Sequence, residues 1–275
     1  ERKSDQVMKN LMINFNNWEE SFYQQLAKNF GFKTNALPFE LLAKSLPLAI
    51  VRKYSGRLIS IEAMFFGQAG FLNGKFTDDY PQLLQKEYQF IQHKFGLNPI
   101  DKHLWKFMRL RPYNFPTVRI AQFAALLNSN LSLFSLLATN KNLIEARNTL
   151  ASVASPYWNT HFNFDKPSVN KEKILGETGI NNLMINTVVP FIFVYGKWKG
   201  DELLQSRALD LLMEIPGENN SIIRKWKALG LSVKTAFDTQ SLLQLKNEYC
   251  NQKKCLSCNI GLQILKYDRQ DSSIF

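Results

Sequence analysis

Asp79-Tyr80-Pro81-Gln82-Leu83-Leu84-Gln85-Lys86-Glu87-Tyr88-Gln89-Phe90-Ile91-Gln92-His93-Lys94-Phe95-Gly96 is the stretch on which the fold class turns. Leu83, Leu84, Tyr88, Ile91 and Phe95 fall on one side of a 3.6-residue helix. Gly96 follows the last apolar position, where a helix C-terminus commonly needs a residue without Cβ. The spacing predicts an amphipathic helix with one side turned to a core.

The same signals recur on both sides of it. Val7, Met8, Leu11, Met12 and Phe15 already stand at helical spacing, so the chain opens inside a helical pattern and reads as a fragment of something longer. Asn17 before Trp18, with Glu20 three residues on, resembles a capping box, and that helix stops at Gly31. Pro38 at a first helical position predicts a helix over 38–44. Residues 59–72 read as a buried helix in which Gly67, Ala69 and Gly70 imply close packing or a kink. Pro116 opens another helix, and 131–138 and 143–153 follow. The stretch 180–195 is apolar, with a kink expected at Pro190. Helices are expected over 202–213, 221–229, 239–250 (Asp238 as its N-cap) and 260–267, with a polar, frayed tail from 268. Only 232–237 has strand character. The expectation is an all-α (mainly α) protein, an irregular multi-helix bundle of about 10–13 helices with short loops. The aromatic, irregular segment 155–167 is the best boundary, dividing an N-terminal helical subdomain, 1–154, from a C-terminal one, 155–275, packed as one unit.

The bulk numbers narrow the class. With 275 residues and 45% hydrophobic content, the chain can bury a sizeable core without disulfides or metals. Lys and Arg number 34 against 23 Asp and Glu, a net charge of +11, which favours polyanionic partners and equally suits a plain solvated basic surface. Three cysteines clustered near the C-terminus do not form a secreted disulfide framework and fit a reducing cytoplasm. The strongly apolar run 188–195 is too short for a bilayer, so a soluble protein with no membrane partner is expected. There is no phosphate-binding glycine loop, no G-x-S-x-G, no H-E-x-x-H and no paired-carboxylate constellation. No residue is therefore assigned to catalysis, and whether the whole protein is an enzyme stays open.

Three segments carry candidate chemistry. In the first, residues 102–119, Lys102, Lys106, Arg109, Arg111 and Arg119 stand beside Trp105, Tyr113 and Phe115. Guanidinium forks suit phosphate or carboxylate, and aromatic faces stack on bases. Pro112 and Pro116 stiffen the loop that feeds a helix N-terminus at Thr117. The bland alternative is that the arginines tie loop carbonyls and carboxylates while the aromatics fill the core. In the second, Cys250, Cys255 and Cys258 have C-x4-C-x2-C spacing, suited to zinc or an iron–sulfur cluster. Such sites need a fourth ligand, from His93, His103, His161, a carboxylate or residues outside this chain. A tight turn holding small buried thiols, with no cofactor, is an equal alternative. In the third, Glu62 and Gln68 sit in an apolar helix and must find partners, most simply hydrogen bonds to another helix. His161, Asn181 and Asn186 read as packing or backbone-satisfying residues.

Ile61-Glu62-Ala63 with Gly67-Gln68-Ala69-Gly70, the run Arg109 to Gln122, and Tyr249-Cys250 with Lys254-Cys255-Leu256-Ser257-Cys258-Asn259-Ile260-Gly261 resemble a bacterial family of uncharacterised proteins, domain-of-unknown-function family 2851. The resemblance covers nearly the whole chain. It implies that the chain is the helical C-terminal part of a longer protein whose N-terminal half is β-rich, with acidic and His motifs reminiscent of restriction-nuclease folds. Catalysis would then belong to that half. The expected role here is a nucleic-acid-associated binding module. Lys102, Lys106, Arg109, Arg111 and Arg119 would meet phosphates, and Trp105 or Tyr113 would stack on bases. The rival expectations are a scaffold or protein-interaction domain and a structural metal-binding domain built on the cysteines.

Overall fold

The computed structural model describes residues 2–130 and 132–271. Its contacts group into two compact units, residues 1–208 and 209–275. The first unit contains α1 (Arg2–Ile13), α2 (Trp18–Phe30), α3 (Ala36–Ser45), α4 (Leu48–Arg52), α5 (Leu58–Gln68), α6 (Asp79–Phe95), α7 (Pro116–Ser129), α8 (Leu133–Thr139), α9 (Leu143–Leu150), α10 (Glu177–Leu183), α11 (Val189–Lys199) and the first half of α12 (Glu202–Glu214). One antiparallel hairpin, β1 (His161–Asn163) with β2 (Lys166–Pro167), interrupts this order. The protein is thus a mainly α multi-helix fold, as its periodicity predicts.

Helix α6 begins and ends where the opening stretch predicts. Leu84, Tyr88 and Ile91 are buried, whereas Leu83 is exposed, and Gly96 closes the helix at a left-handed φ of 62°. Asn17 caps α2 by accepting the Glu20 N–H at 3.1 Å. Gly31, just past α2, keeps a right-handed φ of −70°. Its need for glycine is spatial, because a Cβ there would lie 2.1 Å from the Asn35 carbonyl oxygen. Other boundaries differ from expectation. Helix α3 starts at Ala36, so Pro38 sits in its third position, where its missing N–H still costs no helical hydrogen bond. Helix α5 stops at Gln68, because Gly70 turns left-handed at φ 76°. At Gly67 a Cβ would lie 2.1 Å from the Tyr88 ring, so α5 and α6 meet at a backbone-to-ring contact, the close packing its small residues predict. Before Pro190 the chain widens into a π-helical turn, Met184–Val188, between α10 and α11. A wider turn absorbs the missing proline N–H without breaking the helical run.

Two aromatic clusters hold the unit. Phe123 of α7 stands 5.8 Å from Tyr23, 4.9 Å from Phe30 and 5.3 Å from Phe65, all buried. Trp18, Phe22, Phe134, Phe191 and Tyr195 join α2, α8 and α11. Such ring pairs add roughly 0.5–1.5 kcal/mol each beyond the area they bury. The segment 155–167, irregular in sequence, is knitted into this unit. Trp158 is fully buried and stacks on Phe66 at 5.1 Å, and Phe164 sits against both Phe66 and Trp158. The hairpin went unforeseen because its strands are too short to show alternation.

The helical run Glu177–Lys199 is long and apolar enough to cross a membrane by length and composition alone, yet 72% of its most apolar window is buried within the protein.

The second unit contains the rest of α12, α13 (Ser221–Ala228), α14 (Ala236–Gln244) and α15 (Asn259–Asp271). A backbone clasp ties it: Gly217 N–H donates to the Lys234 carbonyl at 2.9 Å and Ala236 N–H to Ile215 at 2.8 Å. The expected strand character of 232–237 reduces to one bridge, Pro216 with Thr235. Helix α14 starts at Ala236, three residues before the expected helix. Thr235 is its N-cap, and Asp238, expected as the cap, completes a capping box from N3. The 272–275 end of the expected frayed tail lies outside the described residues.

Candidate functional site

The basic loop 102–115 is pinned at two points. Trp105 is 6% exposed, donates its indole N–H to the Ala69 carbonyl at 2.9 Å, and sits between Phe39 and Phe71. The Asn35 side chain clamps Lys106 from both sides, donating to its carbonyl and accepting its N–H, each at 2.9 Å. Beyond the clamp the chain turns sharply, with Arg109 at a left-handed φ of 62°, then runs through a 3-10 turn, Pro112–Asn114, into α7. Lys102, Lys106, Arg109 and Arg111 are exposed. Tyr113 is partly exposed, faces Phe162 at 5.2 Å and lies under the Lys171 and Lys173 ammonium groups. Trp105 is therefore closed to solvent, while Tyr113 reaches it in part.

Arg119 differs from the other four cations. It lies in the first turns of α7 and is only 9% exposed. It donates to Asn114 Oδ1 at 2.6 Å and Gln122 Oε1 at 3.0 Å, and its guanidinium covers the Phe32 ring at 4.6 Å. Both acceptors are neutral. Its Nε is buried without an acceptor, and among the described residues no carboxylate pairs with it. Burial lowers its pKa to about 10, which leaves it charged at neutral pH. Gln122 passes the network on by donating to the Lys173 carbonyl at 2.9 Å. Lys173 is itself fully buried; its ammonium donates only to the Asn159 and Lys171 carbonyls and lies 4.3 Å from the Phe162 ring centre. Burial first, then Lys171, lowers its pKa. Arg119 is thus a buried cation with no counter-charge among the described residues, a costly arrangement in a protein interior, and Gln122 ties it to the Lys173 main chain.

Arg119 borders a cavity of about 520 Å³ whose wall also carries Phe32, Lys33, Asn35, Arg111 and Asn114. Among the described residues no aspartate or glutamate lines it. Asn35 and Pro116 bring the first turns of α3 and α7 to its edge, and neither helix has a side-chain cap there. Uncapped helix N-termini add positive potential. Of the expected basic set, the structure brings Arg111 and Arg119 to this cavity; Lys102, Lys106 and Arg109 stay on the loop outside. Lys33, Asn35 and Phe32 were not legible as site residues, standing 67 to 70 positions before the first residue of the loop. Lys173 stands in the charged string Lys171-Glu172-Lys173, which carries no sequence signal of burial.

Glu62 finds the partner on another helix that its burial requires. Its Oε2 accepts the Tyr80 hydroxyl at 2.5 Å, Oε1 has none, and burial raises its pKa to about 7. Gln68 likewise reaches out of α5, donating to the Ser45 carbonyl at 3.2 Å and accepting from the Tyr88 hydroxyl at 2.9 Å. Close to Tyr80, a second polar cluster fastens the hairpin to α6. The Asp165 carboxylate accepts the N–H groups of Thr77 and Asp78 at 3.1 and 3.0 Å, and Tyr157 donates to Asp78 at 2.7 Å. His161 Nε2 lies 3.3 Å from Asp78 Oδ2 without hydrogen-bond geometry. The cluster is a fastening for the α6 N-terminus.

In the second unit Cys250 and Cys255 are exposed and Cys258 partly so, all as free thiols. They border one apolar cavity of about 210 Å³ with Trp226, Leu245 and Ile264. Among the described residues no three His, Cys, Asp or Glu side chains are placed to hold a metal ion together.

The helical fold and the acid-free pocket define a mainly α protein with a basic, ligand-sized cavity. The family described as Protein of unknown function (DUF2851) matches residues 1–221, and the chain belongs to that family. No curated protein and no solved structure matches it.

Proposed function

We propose that the chain is a nucleic-acid-associated binding module that holds phosphate on the basic loop and at the Arg119 cavity. One observation carries the reading: a buried, charged guanidinium that, among the described residues, pairs with no carboxylate and borders a cavity no acidic residue lines. Lys102, Lys106, Arg109 and Arg111 supply the exposed charge for the backbone, and Tyr113, 38% exposed, is the loop's most exposed Phe, Tyr or Trp ring for stacking. The module works in the cytoplasm, without a membrane partner, and in a longer chain it holds the polynucleotide for a nuclease-like half. The test is titration with labelled single-stranded DNA, duplex DNA and RNA at two salt concentrations. Affinity falls steeply with salt, and Arg109→Ala with Arg111→Ala flattens the slope by about one phosphate contact each. Absence of binding at low salt refutes the reading.

A second reading, a protein-interaction domain, is favoured by the second unit, which exposes Leu229, Leu256, Ile260 and Ile264. Sedimentation of the purified chain as a concentration-dependent oligomer would support it. A structural metal held by Cys250, Cys255 and Cys258 draws only on their shared cavity, and elemental analysis of protein purified without added metal decides it.

A further inference from the structure

We infer that the Arg119 cavity takes a phosphate monoester, presented by the end of a polynucleotide strand or by a free nucleotide. In its strand-end form the inference rests on the nucleic-acid reading above and narrows it from backbone binding to recognition of a terminus.

Depth is the first argument. Arg119 is 9% exposed, at the wall of a concave site. A phosphodiester inside a duplex sits on a convex ridge with a sugar on either side, and such ridges meet exposed cations like Arg109. A terminal phosphate has one ester link and three free oxygens, so it can enter a recess ahead of its sugar.

Charge is the second. A monoester carries about −1.5 to −2 at neutral pH, against −1 for a diester. Lys33, Arg111 and Arg119 line the cavity, and among the described residues no acid lines it to cancel them. Two neutral acceptors, Asn114 and Gln122, orient the Arg119 fork while leaving its charge uncompensated. That fork matches two oxygens of one phosphate. A monocarboxylate would offset only one of the three cations.

The remaining wall is the third. Phe32 and Leu110 give apolar surface, and Thr34 and Thr178 give hydroxyl-bearing side chains. A volume of about 520 Å³ is within the range of small-molecule sites, so a sugar and base fit behind the phosphate.

The experiment uses one short single-stranded DNA in three forms, with a 5′-phosphate, a 3′-phosphate or hydroxyls at both ends. Adenosine 5′-monophosphate and inorganic phosphate serve as direct ligands and competitors. A terminal phosphate is expected to tighten binding roughly tenfold or more, the range of a charge-assisted bidentate contact. Inorganic phosphate removes that gain, Arg119→Lys abolishes it, and Arg111→Ala and Lys33→Ala each reduce it. Should Arg119→Lys fail to fold by circular dichroism, the two exposed-residue variants carry the test. Equal, salt-sensitive binding of all three strands, unmoved by phosphate, overturns the inference and leaves the nucleic-acid reading standing. Binding of the mononucleotide without any strand supports the cavity's chemistry, assigns it to a free nucleotide and overturns the nucleic-acid reading. Binding of neither strand, nucleotide nor phosphate overturns both.

Discussion

Replacing Glu62 by Gln should remove a pH dependence from the stability of the fold. Glu62 is 1% exposed and burial raises its pKa from 4.5 to about 7. Between those values the folded chain holds a proton that the unfolded chain releases. Its contribution is therefore fully present below pH 4.5 and lost as pH rises through 7. The shift corresponds to about 3 kcal/mol in total, of which roughly 2.5 kcal/mol falls between pH 5 and pH 8. Gln keeps the shape and an acceptor for the Tyr80 hydroxyl, so it mimics the protonated carboxyl. At pH 5 the variant should be slightly weaker than the parent, by the roughly 1 kcal/mol of an altered hydrogen bond. At pH 8 it should be the more stable of the two. Urea unfolding followed by circular dichroism at several pH values measures this, since urea adds no ionic screening. All other titrating groups cancel in the difference between the two proteins. If parent and variant profiles stay parallel from pH 5 to pH 8, Glu62 does not titrate in that window and the argument from its burial is wrong.

Gly67→Ala should destabilise by about 1–3 kcal/mol despite the better helix propensity of alanine, because its Cβ would lie 2.1 Å from the Tyr88 ring; a rise in melting temperature would contradict the close α5–α6 contact. Thr235→Ala removes one arm of the α14 capping box and should cost about 1 kcal/mol, read by hydrogen exchange in α14, with no change in exchange at α7.

Much of the helical framework was written locally. Helix α6 was readable from residue 79 to Gly96, and α7 from Pro116, because apolar spacing, a first-turn proline and a left-handed glycine act within one or two turns of backbone. At other boundaries local cues have competitors. Pro38 looked like a helix start and is a third position; Asp238 looked like a cap and is the far arm of one. The 161–167 hairpin has too few residues to alternate, and its place is set by Asp165 fastening to Thr77 and Asp78 from 87 or more positions away.

Composition and one loop pointed to an anion, since an excess of cations beside aromatics is visible in any chain that carries it. Which cations share a site was not visible. Arg109, Arg111 and Arg119 look alike along the sequence, yet only tertiary packing leaves the first on the surface, sets the second at a cavity's edge and buries the third against Phe32 and Asn114. The cavity joins residues 30–35, 110–119 and 178–179, and its lack of a counter-charge is a property of that long-range assembly. Helix formation depends on neighbours within about four positions, so sequence could declare it. Burial of a charge depends on whatever the rest of the fold places around it, and only the folded chain decides that.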